Sequence, residues 1–118
     1  MNFTRVRLST DTTQKLRTLK MRTGLTPNIM SRFALCYSIA DPSMPDKDKY
    51  DTDGQELNRF TLLGEGDPLY IALVKERLVQ DGIKIKDEFL AYFLAHINRG
   101  VEQIFPRVKS LSDLQNLF

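Results

Sequence analysis

The stretch Phe3-Thr4-Arg5-Val6-Arg7-Leu8 alternates with period two and then stops at Ser9-Thr10-Asp11. Successive side chains of a strand point to opposite faces, so Thr4, Val6 and Leu8 form one side and Phe3, Arg5 and Arg7 the other. Such a strand has to bury its apolar face and leave the basic one to water or to an anion. Helix punctuation follows at once. Asp11 with Gln14 three residues on has capping-box spacing. Leu16 and Leu19 face inward with Thr12 or Thr23 beside them. The helix runs to about Arg22, where Gly24 is placed to end it in a left-handed conformation. Thr26-Pro27 opens a second helix, with threonine as cap and proline in the first position. Ile29, Met30, Phe33, Ala34 and Tyr37 make its apolar stripe, and Asp41-Pro42 closes it.

The remainder reads as an acidic connector and a helical half. Residues 41–66 are predicted to form an exposed loop or linker rich in Asp, Pro and Gly, with a short apolar-leaning segment, Asn58 to Leu63, of open type. Asp67-Pro68 is a second cap-plus-proline start, for a helix through Leu69, Leu73, Leu78 and Val79 that Gly82 ends. Ile83 to Lys86 is too short to read as a strand. A last long helix starts at Lys86 or Asp87 and runs through Phe89, Leu90, Phe93, Leu94 and Ile97, with Gly100 near its end. It is apolar on almost every side, so it belongs in the domain centre or in a subunit interface. Ser112-Asp113-Leu114 starts a terminal turn. The whole is read as a single domain, 1–118, with a basic module (1–40), an acidic loop (41–66) and a helical core or interface half (67–118).

Charge is distributed unevenly along this frame. Seven bases (Arg5, Arg7, Lys15, Arg17, Lys20, Arg22, Arg32) and one acid (Asp11) lie in residues 1–37, which gives +6. Residues 38–67 hold three bases and eight acids, −5, and the rest seven bases and six acids, +1, so the chain sums to only +2. None of Lys15, Arg17, Lys20 and Arg22 has an acid four residues further on, the spacing at which surface helices pair their charges. A basic segment concentrated on a compact scaffold is the electrostatic footprint of nucleic-acid binding. The other reading of Arg5 and Arg7 is a solvated edge strand, blunted by charge against aggregation.

Catalytic chemistry finds little to work with. One His (His96) and one Cys (Cys36) stand far apart, without zinc spacing, and both read as core residues. Gly64-Glu65-Gly66-Asp67 lacks the spacing and the Lys-Ser/Thr of a phosphate loop, and the acids of 46–56 do not hold a calcium-loop pattern. A single cysteine excludes an intrachain disulfide and suits the cytoplasm. The longest apolar run, Phe89 to Ala95, is far short of the ~20 residues of a membrane span. No secretory signal is read at the N-terminus, and no metal or cofactor site is predicted.

The order strand, capped helix, turn, capped helix is that of a ribbon-helix-helix module. There, strands of two chains pair into a ribbon that enters the major groove. Phe3, Arg5 and Arg7 would then meet base edges. The second helix, opening at Thr26-Pro27-Asn28, would aim its amides at a phosphate, and the chain would have to dimerise. The expected fold is therefore mainly α: a short N-terminal strand plus two helices, ribbon-helix-helix-like, followed by a helical C-terminal half, self-associating.

The full chain also resembles the DndE family. The resemblance is carried by Arg5-Val6-Arg7-Leu8-Ser9, Leu16, Arg22-Thr23-Gly24-Leu25-Thr26-Pro27-Asn28 and Arg32-Phe33-Ala34, and by the acidic linker and Gly64-Glu65-Gly66-Asp67 ahead of an apolar helical half. It implies a non-enzymatic, DNA-binding accessory subunit of the bacterial DNA phosphorothioation (sulfur modification) machinery. Such a subunit acts with a cysteine desulfurase and an iron–sulfur protein, and self-association to a tetramer would suit the apolar last helix. On the charge argument the residues for double-stranded DNA, nicked duplex included, are Arg5, Arg7, Lys15, Arg17, Lys20, Arg22, Asn28 and Arg32. The alternative is a ribbon-helix-helix repressor with a sequence-specific operator. Because Lys15, Arg22 and Lys20 cannot all share one narrow helical face with Arg17, the expectation is a broad, structure-tolerant surface assembled across subunits.

Overall fold

A computed structural model describes residues 2–118. It contains strands β1 (Arg5–Arg7) and β2 (Glu56–Asn58) and helices α1 (Thr10–Thr23), α2 (Pro27–Ala40), α3 (Arg59–Leu63), α4 (Asp67–Gln80) and α5 (Ile85–Ile104), with 3-10 turns at Gly64–Gly66 and Leu111–Asn116. The mainly helical expectation holds. The last helix is the domain centre: Phe93, Ile97, Val101 and Ile104 are fully buried, with α1, α2 and α4 packed around it.

Local chemistry sets the helix ends. Ser9, not Asp11, caps α1; its hydroxyl accepts from the Thr12 amide at 3.0 Å. Asp11 falls in the first turn, where a carboxylate complements the helix dipole. Gly24 stops α1 at φ 80°, a conformation that costs a residue with a Cβ about 1 kcal/mol. Thr26 and Pro27 start α2 as read. Asn58 caps α3, accepting from the Phe60 and Thr61 amides. At the start of α4, Gly66 takes the cap position, and Asp67 is instead drawn into a bidentate pair with Arg59 at 2.8 and 2.9 Å. The last helix begins earlier than read, at Ile85.

Two stripes are rotated from their expected positions. Along α2 the buried residues are Met30, Ser31, Ala34, Leu35 and Ser38, which leaves Ile29 exposed and Phe33 and Tyr37 half-buried. Along α4 they are Ile71, Val74, Arg77 and Leu78, so Leu69 and Val79 stand more than 60% exposed. Arg77 explains the second rotation. Its guanidinium enters the protein to donate to the carbonyls of Ile39, Asp41 and Ser43 at 2.5–2.7 Å, with Asp81 as counter-ion at 2.9 Å. Arg99 of α5 joins it, donating to the Ser38 and Ser43 carbonyls at 2.8 and 2.7 Å. The carbonyls that end α2 thus meet two cations, as its dipole favours.

The strand pairing departs from a ribbon-helix-helix module. β1 pairs antiparallel with β2 of its own chain, in the register Arg5↔Asn58, Val6↔Leu57, Arg7↔Glu56. Val6, Leu8 and Leu57 go into the core. The ends of the alternation also change sides. Phe3 turns inward to stack on Phe89, centroids 6.0 Å apart, and to meet Phe93 at a tilt, 5.5 Å away, while Thr4 is exposed. The acidic stretch between α2 and β2 is held by Lys47–Glu88 and Lys49–Glu102 ion pairs at 2.6 and 2.8 Å, a Tyr50–Glu102 hydrogen bond, and the Gly54 amide on the Leu8 carbonyl.

Gly100 fixes the closest approach in the core. A Cβ there would lie 1.9 Å from the Ala34 carbonyl oxygen and 2.5 Å from its carbon. We expect Gly100→Ala to push α2 off α5 and to lose about 3 kcal/mol, read as a lower midpoint in urea unfolding.

Candidate nucleic-acid interface

The N-terminal bases occupy three environments. Arg5 and Arg7 remain on the exposed face of β1 and share one carboxylate, Glu56, at 3.6 and 3.5 Å. Arg7 also donates to the Gly54 carbonyl at 3.0 Å. The strand pairing creates this arrangement, since it sets Glu56 opposite Arg7.

Lys15 and Arg22 form the second group, seven residues apart and therefore on one side of α1. Lys15 is paired after all: Asp11, one turn before it, accepts at 2.5 Å. Arg22 stacks on Phe105, 4.6 Å from the ring centroid, and donates to the Phe105 and Val108 carbonyls. Arg32 is similarly engaged, with Nε on the Leu62 carbonyl at 2.6 Å and Nη2 on the Thr61 carbonyl at 3.0 Å. Arg22 and Arg32 thus tie α1 and α2 to neighbouring segments through charge-assisted bonds, while among the described residues no acid pairs with either charge.

Arg17 and Lys20 are the third group. Among the described residues neither side chain makes a hydrogen bond or an ion pair, and both are exposed. They project from one face of α1 into a groove of about 580 Å³. Thr10, Thr13 and Gln14 line its α1 side, Asp53, Gly54 and Gln55 line the other, and Pro27, the first residue of α2, closes one end. Gly54 holds the two walls together. A Cβ at this position would sit 2.3 Å from the Ser9 carbonyl oxygen, and the Gln55 amide donates to the Thr13 hydroxyl at 2.8 Å. Asn28 lies one residue beyond Pro27 and is half-buried, its Oδ1 enclosed without a partner among the described residues.

The structure therefore brings Arg17 and Lys20 to one groove, while Arg7 bonds to Gly54 of the groove's other wall and Asn28 follows Pro27 in the chain. It sends Lys15 and Arg22 to another side of α1 and Arg32 to the α3 junction. Charge counting could not separate these groups. It also missed the Gln14, Asp53 and Gln55 lining, because the pairing of β1 with a strand some fifty residues away builds that wall.

The acid end of α1 has its own anion. The Asp51 carboxylate accepts from the Thr10 amide and hydroxyl, both at 3.0 Å. Amide bonds from Asp53 and Thr10 hold its carboxyl below the usual carboxylate range.

Elsewhere, His96 is fully buried, with Nδ1 2.8 Å from the Ser38 hydroxyl and Nε2 without a partner among the described residues. Burial, then the nearby Arg99 and Arg77 charges, push its pKa down to about 4, so the ring is neutral at pH 7. Burial raises the Cys36 thiol, which keeps it protonated. No group of three or more His, Cys, Asp or Glu among the described residues could hold a metal, and no helix is long and apolar enough to cross a membrane.

The class so defined is a small, mainly helical protein built around one central helix, with a two-stranded sheet and a partly cationic groove at its N-terminal end. The model of the DndE family, DNA sulphur modification protein DndE, matches residues 5–112, and the chain belongs to that family. Among solved structures it is similar to a crystal structure of DndE from Escherichia coli B7A, described as involved in DNA phosphorothioation modification. That likeness has 30% identity, 88% of this chain and 98% of the other covered, and a TM-score of 0.73. A DndE mutant with two Gly-to-Lys changes, also described as involved in DNA phosphorothioation, matches at 26% identity over 88% and 99% of the two chains, with a TM-score of 0.71. A comparison with curated protein sequences gives no match.

The buried histidine makes stability depend on pH. Its folded pKa is about 4 against an ordinary 6.5, so between these values the unfolded chain binds more protons and stability rises with pH. The contribution is complete above pH 6.5 and is lost on acidification towards pH 4. Urea unfolding at pH 7.5 and pH 5 should differ by on the order of 1–2 kcal/mol from this residue, and His96→Gln should flatten that interval.

Proposed function

We propose that the protein is a non-catalytic DNA-binding subunit of the phosphorothioation machinery, engaging duplex DNA mainly through backbone phosphates. The observation that carries this reading is the pair Arg17 and Lys20: two cations on one groove wall whose side chains have no hydrogen-bond or ion-pair partner among the described residues. A protein phosphate contact releases counter-ions whichever base is present, so binding of this kind is sequence-tolerant and steeply salt-dependent. Arg5 and Arg7 extend the cationic surface along β1, where their shared Glu56 leaves net positive charge. Lys15, Arg22, Asn28 and Arg32 are the outer part of the proposed surface, with Arg22 and Arg32 adding to its field. Nicked duplex, being more easily bent, would wrap such a surface at lower deformation cost.

The chain is taken as one domain, 1–118, acting in the cytoplasm beside a cysteine desulfurase and an iron–sulfur protein, and self-associating, as a tetramer, so that several grooves meet one duplex. Self-association is supported by the apolar side chains that α4 leaves in water, Leu69, Leu73 and Val79. The intrachain β1–β2 pairing weighs against the repressor alternative, which needs β1 for a ribbon between chains.

Charge reversal of the groove wall, Arg17→Glu with Lys20→Glu, should lower affinity for a labelled duplex by at least tenfold in fluorescence anisotropy. It should also reduce the slope of log K against log salt by about 2, one unit per lost phosphate contact. The helical circular dichroism should be unchanged. Unaltered affinity at matched salt would eliminate the reading. A separate titration of intact against nicked duplex of equal length should favour the nicked form, and equal affinities would remove that part.

A further inference from the structure

Phosphate binding accounts for only one end of the groove. Its cations lie towards Pro27, at Arg17 and Lys20. The other end carries Gln14, Gln55 and Asp53, and among the described residues none of these three side chains is engaged in a hydrogen bond or ion pair. A surface suited to phosphates alone gains nothing from a carboxylate, which repels them. Two free carboxamides and a free carboxylate are instead the groups that read the edge of a base: carboxamides pair with adenine, and carboxylates accept from the exocyclic amino group of cytosine.

The spacing fits one nucleotide. Thr13, against which Gln55 is anchored, and Lys20 are seven residues apart on α1, about 10 Å at 1.5 Å per residue. That is a length one nucleotide spans from phosphate to base edge. The groove volume, about 580 Å³, lies within the range of small-molecule sites. A base stacked in a duplex cannot enter such a depression, so it would have to leave the stack, and unpaired bases do so at the lowest cost.

We propose that this groove holds a single unstacked nucleotide of DNA, extrahelical or strand-terminal. Arg17 and Lys20 take its phosphate, and Gln14, Gln55 and Asp53 take its base edge. The assignment rests on the DNA-binding reading above and adds a base preference to it. Asp53 favours bases with an exocyclic amino group and disfavours thymine, which has none.

The experiment uses the full chain and duplexes that differ only in one extrahelical nucleotide, cytosine or thymine, beside the fully paired duplex, all measured by anisotropy at one salt concentration. The bulged-cytosine duplex should bind most tightly, with bulged thymine weaker by about fivefold or more. Asp53→Asn, whose carboxamide both donates and accepts, should abolish the difference between the two bases and leave the melting temperature unchanged. Equal affinity for both bulges and the paired duplex would overturn the proposal, while Arg17→Glu with Lys20→Glu still weakening all three would keep phosphate binding standing. If the charge reversal weakens none of them, both readings fall together.

Discussion

The backbone of α5 meets the backbone of α2 at Gly100 and Ala34, and the fold is arranged around that contact. A side chain of any size at position 100 would enter the Ala34 peptide group. Because the two helices touch there, the apolar residues on either side, Met30, Leu35, Phe93, Ile97 and Val101, are buried in one cluster. The same closeness brings the end of α2 within reach of Arg99 and Arg77, whose guanidinium groups take up the carbonyls that a helix end leaves unpaired. Buried arginines are tolerated there because Asp81, Asp41 and the carbonyls replace their water.

The N-terminal helices stand on that frame and hold the groove. One face of α1 sends Leu16 and Leu19 to the core, which leaves the face bearing Gln14, Arg17 and Lys20 open. The acidic segment supplies the second wall. It is secured by ion pairs to α5, by the Asp51 carboxylate on the start of α1, and by Gly54 lying against Ser9. Charge of one sign therefore sits beside charge of the other within a single depression. This gives the surface a direction along α1 that a uniformly basic patch would lack.

Much of the helical framework could be read from particular residues. Gly24, Thr26-Pro27 and Gly82 stand at helix boundaries because few other residues suit those backbone positions or cap them so well. The largely apolar sequence of α5 left it either at the domain centre or in a subunit interface, and the packing of α1, α2 and α4 around it decides for the centre. β2 was not legible: Glu56-Leu57-Asn58 has no periodicity long enough to identify, and its partner lies some fifty residues earlier. The turn of α4 was hidden because Arg77, ordinarily a surface residue, is buried by acceptors from another part of the chain. The roles of the individual bases were hidden for the same reason. Arg22 and Arg32 look like free charges in a linear sequence, and only the fold supplies the carbonyls they hold. Lys15 was the exception, since Asp11 lies one turn before it and the pair could have been found by looking in both directions along the helix.

The position of α5 has a consequence for how the protein comes into being. A ribosome delivers the chain from its N-terminus, so β1, α1 and α2 emerge long before the helix they lean on. Until Ile85–Ile104 has followed, Leu16, Leu19, Met30 and Leu35 lack the central helix they close against, and β1 waits for a strand that begins only at residue 56. Contacts of such sequence separation close slowly. The nascent chain thus passes through a stage in which its most basic segment is already outside while its core is unformed. At that stage an N-terminal module without a partner offers both apolar surface and positive charge to whatever polyanion is at hand, the ribosome's own RNA included.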